Sequence, residues 1–283
     1  MEKPKLDTVT LPDGNRLTGC ISDIMFRIVR QQLIYWDQDC LEHWFLPRVD
    51  TISCVYDIGA NLGSLSVYFA TRAKKAKVFS FEPVPVTFDL LKRNVEQNGL
   101  SDRVTVFNCA LGAQESTVRM QVNEKSLDRS TISDTGSQEV ALKRLDDLNL
   151  PPPDFVKIDV EGYELEVLKG MERTLRESSP VLWVEIFAHS KDMAETYQFL
   201  SSLGYLPIDC GASPANMLFI KQKLSAEEKL KRLFAFAVKL QQSAWADRKK
   251  AVQNTKDRYE KTRSWKITAP LRAIRGIFNF KGY

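Results

Sequence analysis

The stretch "VYDIGANLGSLS", residues 55–66, decides how the rest of the chain is read. An apolar run, a turn holding Gly59 and Gly63, and a helix-forming sequence follow one another without a gap. That order is the start of a strand–turn–helix unit, the first step of an α/β sheet. The turn departs from the G-x-G-x-x-G dinucleotide fingerprint, because Asn61 stands where its middle glycine would fall. The question is which ligand such a turn serves.

Working outward, short apolar runs alternate with helical periods. "KVFSFEP" is a second strand, followed by helical "VTFDLLKRNVEQNG", in which Leu90, Leu91 and Val95 share a face and Gly99 suits the C-terminal cap. "RVTVFNCAL" is the third strand. Residues 113–147 break the rhythm with the hairpin-like "STVRMQV", a polar loop and the edge pattern "EVALKRLDDL". After the triple proline at 151–153 come strand "DFVKIDV", helix "ELEVLKGMERTL", strand "PVLWVEIF", helix "MAETYQFLSSLG", and the strands "YLPIDC" and "NMLFIKQ". Too few residues separate the last two for a helix. The prediction is a Rossmann-like α/β fold: a mostly parallel seven-stranded sheet with an antiparallel last strand and helices on both faces.

Charge divides the chain. Residues 223–283 carry 16 Lys+Arg against 5 Asp+Glu, whereas the remainder carries 24 against 31. The expected organisation is lead-in helices over 1–50, the catalytic domain over 51–222 and a basic helical tail over 223–283. Within the tail, Leu230, Leu233, Ala237, Leu240 and Ala244 follow a 3-4 spacing, which predicts a helix that packs on the body or pairs as a coiled coil. Farther on, "APLRAIRGIFNFKGY" mixes apolar and basic residues in a pattern suited to an anionic membrane surface or an acidic partner. Five cysteines without C-x-x-C spacing and a polar N-terminus predict a reducing, cytoplasmic setting, peripheral to the inner face of a membrane if the tail docks there.

Open α/β sheets bind ligands beyond the carboxyl ends of their strands. Those ends carry Asp57, Gly59, Asn61 and Gly63; then Glu82; then Asn108, Cys109 and Ala110; then Asp159 and Glu161; then Glu185 and His189. Glu82 is placed to accept both hydroxyls of a ribose, which suits any adenosine cofactor. Asp57 narrows the choice, because a carboxylate in the turn repels a pyrophosphate and tolerates a cofactor with an ammonium and a sulfonium. S-adenosylmethionine (SAM) has both. Packing alone could explain the turn as a tight strand–helix connection, and Glu161 could serve as a helix cap.

The blocks "VYDIGANLGSLS", "VFSFEPVPVTFDLLKRNVEQNG", "NCALG", "LDDL", "DFVKIDVEGYELEVLKG" and "PVLWVEIF", with the lead-in "SDIMFRIV", resemble in order and content the FkbM family of SAM-dependent methyltransferases. The resemblance covers roughly residues 21–222, and "KIDVEGYELEVLKG" is its most specific part. It implies a class I methyltransferase fold and O-methylation, often of sugars or polyketides. It also implies that Asp57, Gly59, Asn61 and Gly63 hold the methionine part of SAM. Glu82 would take the ribose, Asn108–Ala110 would lie near the adenine, and Asp159 and Glu161 would face the acceptor. Asp159 or His189 could then act as base, and Asp159, Glu161 and Glu185 could hold a divalent metal such as Mg²⁺.

The closing "SWKITAPLR" resembles a segment near coiled coils in bacterial enzymes that assemble surface polysaccharides, O-antigen glycosyltransferases among them. It implies a carbohydrate or glycolipid acceptor and a polysaccharide-assembly partner for the tail. An RNA or other nucleic-acid methyltransferase using the basic tail is the rival reading; the acidic body and the missing Asn/Asp-Pro-Pro-Tyr tetrad weigh against it. A catalytically silent scaffold is a second rival, opposed by the intact turn and Glu82.

Overall fold

The structure is a computed structural model and describes residues 5–123, 130–187, 190, 192–213, 215–222 and 224–260. A mixed seven-stranded sheet organises it. Its strands are β3 (Cys54–Ile58), β4 (Lys77–Phe81), β5 (Val104–Phe107), β10 (Phe155–Ile158), β11 (Val181–Glu185), β12 (Tyr205–Cys210) and β13 (Asn216–Lys221). They lie in the order β12-β13-β11-β10-β3-β4-β5. β3 pairs in parallel with β4 and β10, β4 with β5, and β10 with β11. β13 is antiparallel to both its neighbours, inserted between β11 and β12. The order reverses between β3 and β10, so the connections leaving these two strands diverge and open a crevice at their carboxyl ends.

Both faces of the sheet are buried, which is why its strands read as nearly continuous apolar runs. One face packs Val55, Val78, Phe155 and Trp183 with α3 (Ser64–Arg72) and α4 (Pro85–Gln97). The other packs Tyr56, Phe81, Ile158 and Val184 with α5 (Glu164–Gly170), α6 (Glu172–Glu177) and α7 (Met193–Ser202).

The lead-in differs from the expected helices. It opens with an antiparallel hairpin, β1 (Leu6–Thr10) and β2 (Arg16–Cys20), before α1 (Ile24–Gln32). The turn "LPDGN" explains this: Gly14 takes φ 88° and Asp13 accepts from the Asn15 backbone N–H, a geometry a helix start does not use. Asp23 then caps α1 by accepting from the Phe26 N–H. A short helix, α2 (Gln38–Cys40), runs through a π turn and a 3-10 turn to Arg48. Leu17, Phe26, Trp44 and Phe45 share a core with Val67 and Phe69, so this segment is packed into the body.

The irregular 110–143 region builds a second sheet in the order β6-β9-β7-β8, from β6 (Ala110–Leu111), β7 (Ser116–Gln121), β8 (Thr131–Ile132) and β9 (Gln138–Lys143). It overhangs the crevice, which Met120, Thr131 and Ile132 help to line. Among the described residues the tail forms one long helix, α8 (Ala226–Glu260), with Phe236 and Leu240 packed on the body. Leu240 is thus engaged, and the 3-4 seam is divided between the body and solvent. His189 and the segments "SWKITAPLR" and "APLRAIRGIFNFKGY" beyond residue 260 lie outside the described residues. Among those described, no helix is long and apolar enough to cross a membrane. All five cysteines are buried free thiols.

Candidate functional site

A cavity of ≈ 960 Å³ lies along the carboxyl ends of β3, β4, β10 and β11. That is at the upper end for a small-molecule site and leaves room for two ligands side by side. Of the residues expected there, Gly59, Asn61, Glu82, Ala110, Asp159, Glu161 and Glu185 line it.

Asp57, Gly63 and Asn108 do not, and each has a packing reason. Asp57 is fully buried beneath the turn and accepts from Ser66 Oγ at 2.5 Å, with Ser80 donating to Ser66 behind it. Its other oxygen, Oδ1, has no hydrogen-bond partner and sits 4.0 Å from Lys157 Nζ. Burial pushes its carboxyl up, against the pull of Lys157. Gly63 (φ 84°) closes the turn against α4, where an added Cβ would come within 2.4 Å of Leu91 Cδ1. Asn108 donates to the carbonyls of Glu82 and Pro83 at 2.9 and 3.1 Å, so it holds the loop that carries Glu82.

Gly59 lines the cavity and also has a packing reason of its own. A Cβ on Gly59 (φ 77°) would stand 1.8 Å from the Asp159 carbonyl oxygen. This glycine is there so that the ends of β3 and β10 can touch; the close approach is of protein to protein. Asn61, at φ 52°, donates its N–H to Glu82 Oε2 at 2.9 Å and accepts the Leu62 N–H at 2.6 Å. Glu82 Oε1 accepts the Val84 N–H at 2.8 Å. Burial pushes Glu82 up to about 7, partly offset by those two backbone donors.

Beside the turn stands an acidic group. One carboxylate oxygen from each of Asp159, Glu161 and Glu185 lies within 4.8 Å of the others. Burial, reinforced by the Asp159 charge and a hydrogen bond to that side chain, pushes Glu185 up to about 10, so it holds a proton at neutral pH. Glu161 takes φ 54°, and Glu164, the first residue of α5, accepts from the N–H groups of Val160 and Gly162 in the loop before it.

Two residues that sequence reading passed over complete the site. Lys157, 4% exposed, donates to Asp159 Oδ2 and to the Gly59 carbonyl, both at 3.1 Å. Burial pulls its ammonium down, but Asp159 and Asp57 outweigh it and hold it above the usual lysine range. A signal existed: Lys157 interrupts an apolar strand two residues before Asp159, on the same face. Asp37 carried none. It reaches the cavity from the lead-in, held by Asn216 Nδ2 at 3.0 Å, while Asn216 Oδ1 accepts from Trp183 Nε1. Burial, then the nearby Asp159, push Asp37 up to about 7.

The family model for the "Methyltransferase FkbM domain" matches residues 57–207, which span these strand ends from Asp57 through Glu185. The chain belongs to the FkbM methyltransferase family. It is a SAM-dependent methyltransferase. Among similar proteins, Methyltransferase 1 of Beauveria bassiana is 27% identical over 180 residues, covering 54% of this chain and 72% of that one. Hexuronic acid methyltransferase AglP of Haloferax volcanii is 36% identical over 152 residues, 50% of this chain and 59% of AglP. The solved Methyltransferase FkbM of Methylobacillus flagellatus KT aligns with TM-score 0.47 at 23% identity, over 59% of this chain and 43% of that one.

The residues present fit the cofactor. Glu82 lines the cavity with acceptor capacity beyond its two backbone bonds, and the carboxylates surrounding it favour a cationic ligand over a pyrophosphate.

Proposed function

We propose that the protein is an O-methyltransferase that methylates a sugar hydroxyl, on a bacterial surface polysaccharide of the O-antigen type or a related glycan or natural product. The observation that carries this is the acidic group of Asp159, Glu161 and Glu185 beside the cofactor turn, in which Lys157 holds Asp159 by a 3.1 Å hydrogen bond. SAM supplies a methyl group made electrophilic by its sulfonium. In this reading Glu82 takes the ribose hydroxyls, and the backbone from Gly59 to Asn61, with Ala110, forms the remaining cofactor wall. Asp159 accepts the acceptor hydroxyl proton as the new bond forms. Ile24, Ile28 and Trp36 of the lead-in line the same cavity and limit the access of water.

AglP is named for a hexuronic acid, and that name supports the reading of a sugar acceptor. Here the wall carries Asp37, Glu82, Asp159 and Glu161 besides the protonated Glu185, and Lys157, which also lines it, is engaged by Asp159 and Gly59. That balance suits an uncharged sugar better than a uronate. Trp36, Tyr163 and Phe187 offer aromatic surface for its apolar face. Incubation with labelled SAM and paired neutral and uronate acceptors tests both points. Label in neither class removes the sugar reading, and label only in uronates removes the charge argument. Calorimetry on Glu82→Ala tests the cofactor side, where weaker SAM binding is expected and unchanged affinity would take Glu82 out of the site.

A metal-assisted form of the same reaction is the second reading, favoured by the mutual spacing of Asp159, Glu161 and Glu185. It requires that EDTA abolish turnover and that Mg²⁺ restore it.

A further inference from the structure

The helix α8 has two unlike faces. Phe236, Leu240 and Ser243 face the body: Phe236 is buried, and Ser243 Oγ donates to the carbonyls of Gly211 and Ala212 at 3.0 and 3.1 Å. Lys239 pairs with Asp209 on the same side. Leu230, Phe234, Val238 and Trp245 lie about half a helical turn away from this docked face. They are 69%, 72%, 38% and 72% exposed. Large apolar side chains left in water along one line of a helix mark an interaction surface.

We infer that this face of α8 docks the enzyme on an anionic lipid surface. Three observations favour lipid over a second copy of the chain. The outward stripe advances by four, four and seven residues, about 3.75 per turn, so it lacks the 3.5 repeat of a left-handed heptad coiled coil. The one run with that repeat, Leu230–Leu233–Ala237–Leu240–Ala244, has Leu240 already packed on the body. Charge gives the third. The chain from residue 223 has 16 basic and 5 acidic residues, so two tails side by side repel, whereas an acidic membrane attracts each of them. Arg248 and Lys249 are exposed near the stripe, and Lys231 beside it is paired with Glu227 at 2.6 Å. Aromatic and aliphatic side chains bordered by lysine and arginine are the composition of helices that lie in the headgroup layer. The acidic body, 24 basic against 31 acidic residues, is repelled by the same surface, so contact through α8 also sets which side faces the lipid.

The test is sedimentation of the full chain with vesicles of phosphatidylcholine alone or mixed with phosphatidylglycerol, alongside light scattering to count subunits. The wild type should sediment with the mixed vesicles and stay free of the neutral ones. Phe234→Gln combined with Trp245→Gln should lower the bound fraction about tenfold, since binding follows buried apolar area. SAM affinity reports that the variant is folded. A second variant, Arg248→Glu with Lys249→Glu, leaves the apolar stripe intact and should weaken binding in the same direction. Equal sedimentation of wild type and both variants would overturn the proposal. So would a wild-type dimer that the Phe234/Trp245 variant converts to monomer while vesicles capture neither.

Discussion

Lys157 Nζ lies 3.1 Å from Asp159 Oδ2 and reaches back to within 4.0 Å of Asp57 Oδ1. One buried ammonium therefore joins the floor of the glycine turn to the acidic group at the acceptor end. Register explains the reach, since Lys157 and Asp57 are direct partners on the parallel strands β10 and β3. Removing the charge leaves two carboxylates without their counter-ion. Lys157→Met should cost about 3 to 5 kcal/mol of stability, measured by urea unfolding. A loss below about 1 kcal/mol would show that the pair is solvated as a surface bridge is.

Asp159 and Glu185 should respond differently to the same change. Glu185 already holds a proton at neutral pH, so Glu185→Gln replaces one neutral hydrogen-bonding group with another. Turnover with a productive acceptor should fall by only a few-fold. Asp159→Asn removes the group assigned to accept the hydroxyl proton and should cost on the order of 10² to 10⁴ in kcat. SAM affinity should hold in both. Equal losses in the two variants would overturn the division of roles.

The raised Glu185 also predicts a slope of stability with pH. Between its ordinary value of 4.5 and about 10, the folded chain keeps a proton that the unfolded chain releases. The folded state binds more protons there, so this group lowers stability as pH rises through that window. Glu185→Gln should flatten the decline and be the more stable protein at pH 9. Thermal melts of the two proteins from pH 5 to pH 9 check it, and parallel curves would show that Glu185 is not the group that keeps the proton.

Gly59 and Gly162 separate packing from backbone strain. Both have positive φ, 77° and 95°, but only Gly59 has a backbone oxygen where a Cβ would go, 1.8 Å away on Asp159. Nothing lies within 4 Å at Gly162. Gly162→Ala should cost about 1 kcal/mol from φ alone, and Gly59→Ala on the order of 3 kcal/mol or more, with SAM binding lost as β3 and β10 part. Similar costs for the two would mean that the strand ends yield easily.

The central sheet was legible because each of its strands is an apolar run punctuated by a helix or a turn, a local signal. The second sheet was only half legible: the alternation in Ser116–Gln121 shows, but its partners are chosen by tertiary packing. The hairpin before α1 was missed although Asp13 and Gly14 mark its turn. Within the site, residues at strand ends could be read off the sequence. Whether they face the cavity could not, and Asp57, Gly63 and Asn108 turned inward to hold the wall. Asp37 arrives from the lead-in, far from Lys157 along the chain and at no strand end, so no local pattern announces it. Lys157, by contrast, stood in view as a charge within "FVKID".

The amide of Asn94 joins parts of the chain that the family match separates. It accepts the Thr18 N–H at 2.7 Å and donates to the carbonyls of Thr18 at 2.9 Å and Leu62 at 2.7 Å. One buried side chain on α4 thus pins the opening hairpin and the cofactor turn at once. The region recognised by homology, 57–207, and the unit that holds its shape are then different objects. A protein cut to the homologous boundaries would strip Phe45 from the rings of Tyr68 and Phe69 that it now packs against, and would leave the Asn94 amide without its Thr18 partners beneath the turn. The family match marks the middle; mechanical integrity begins at the hairpin.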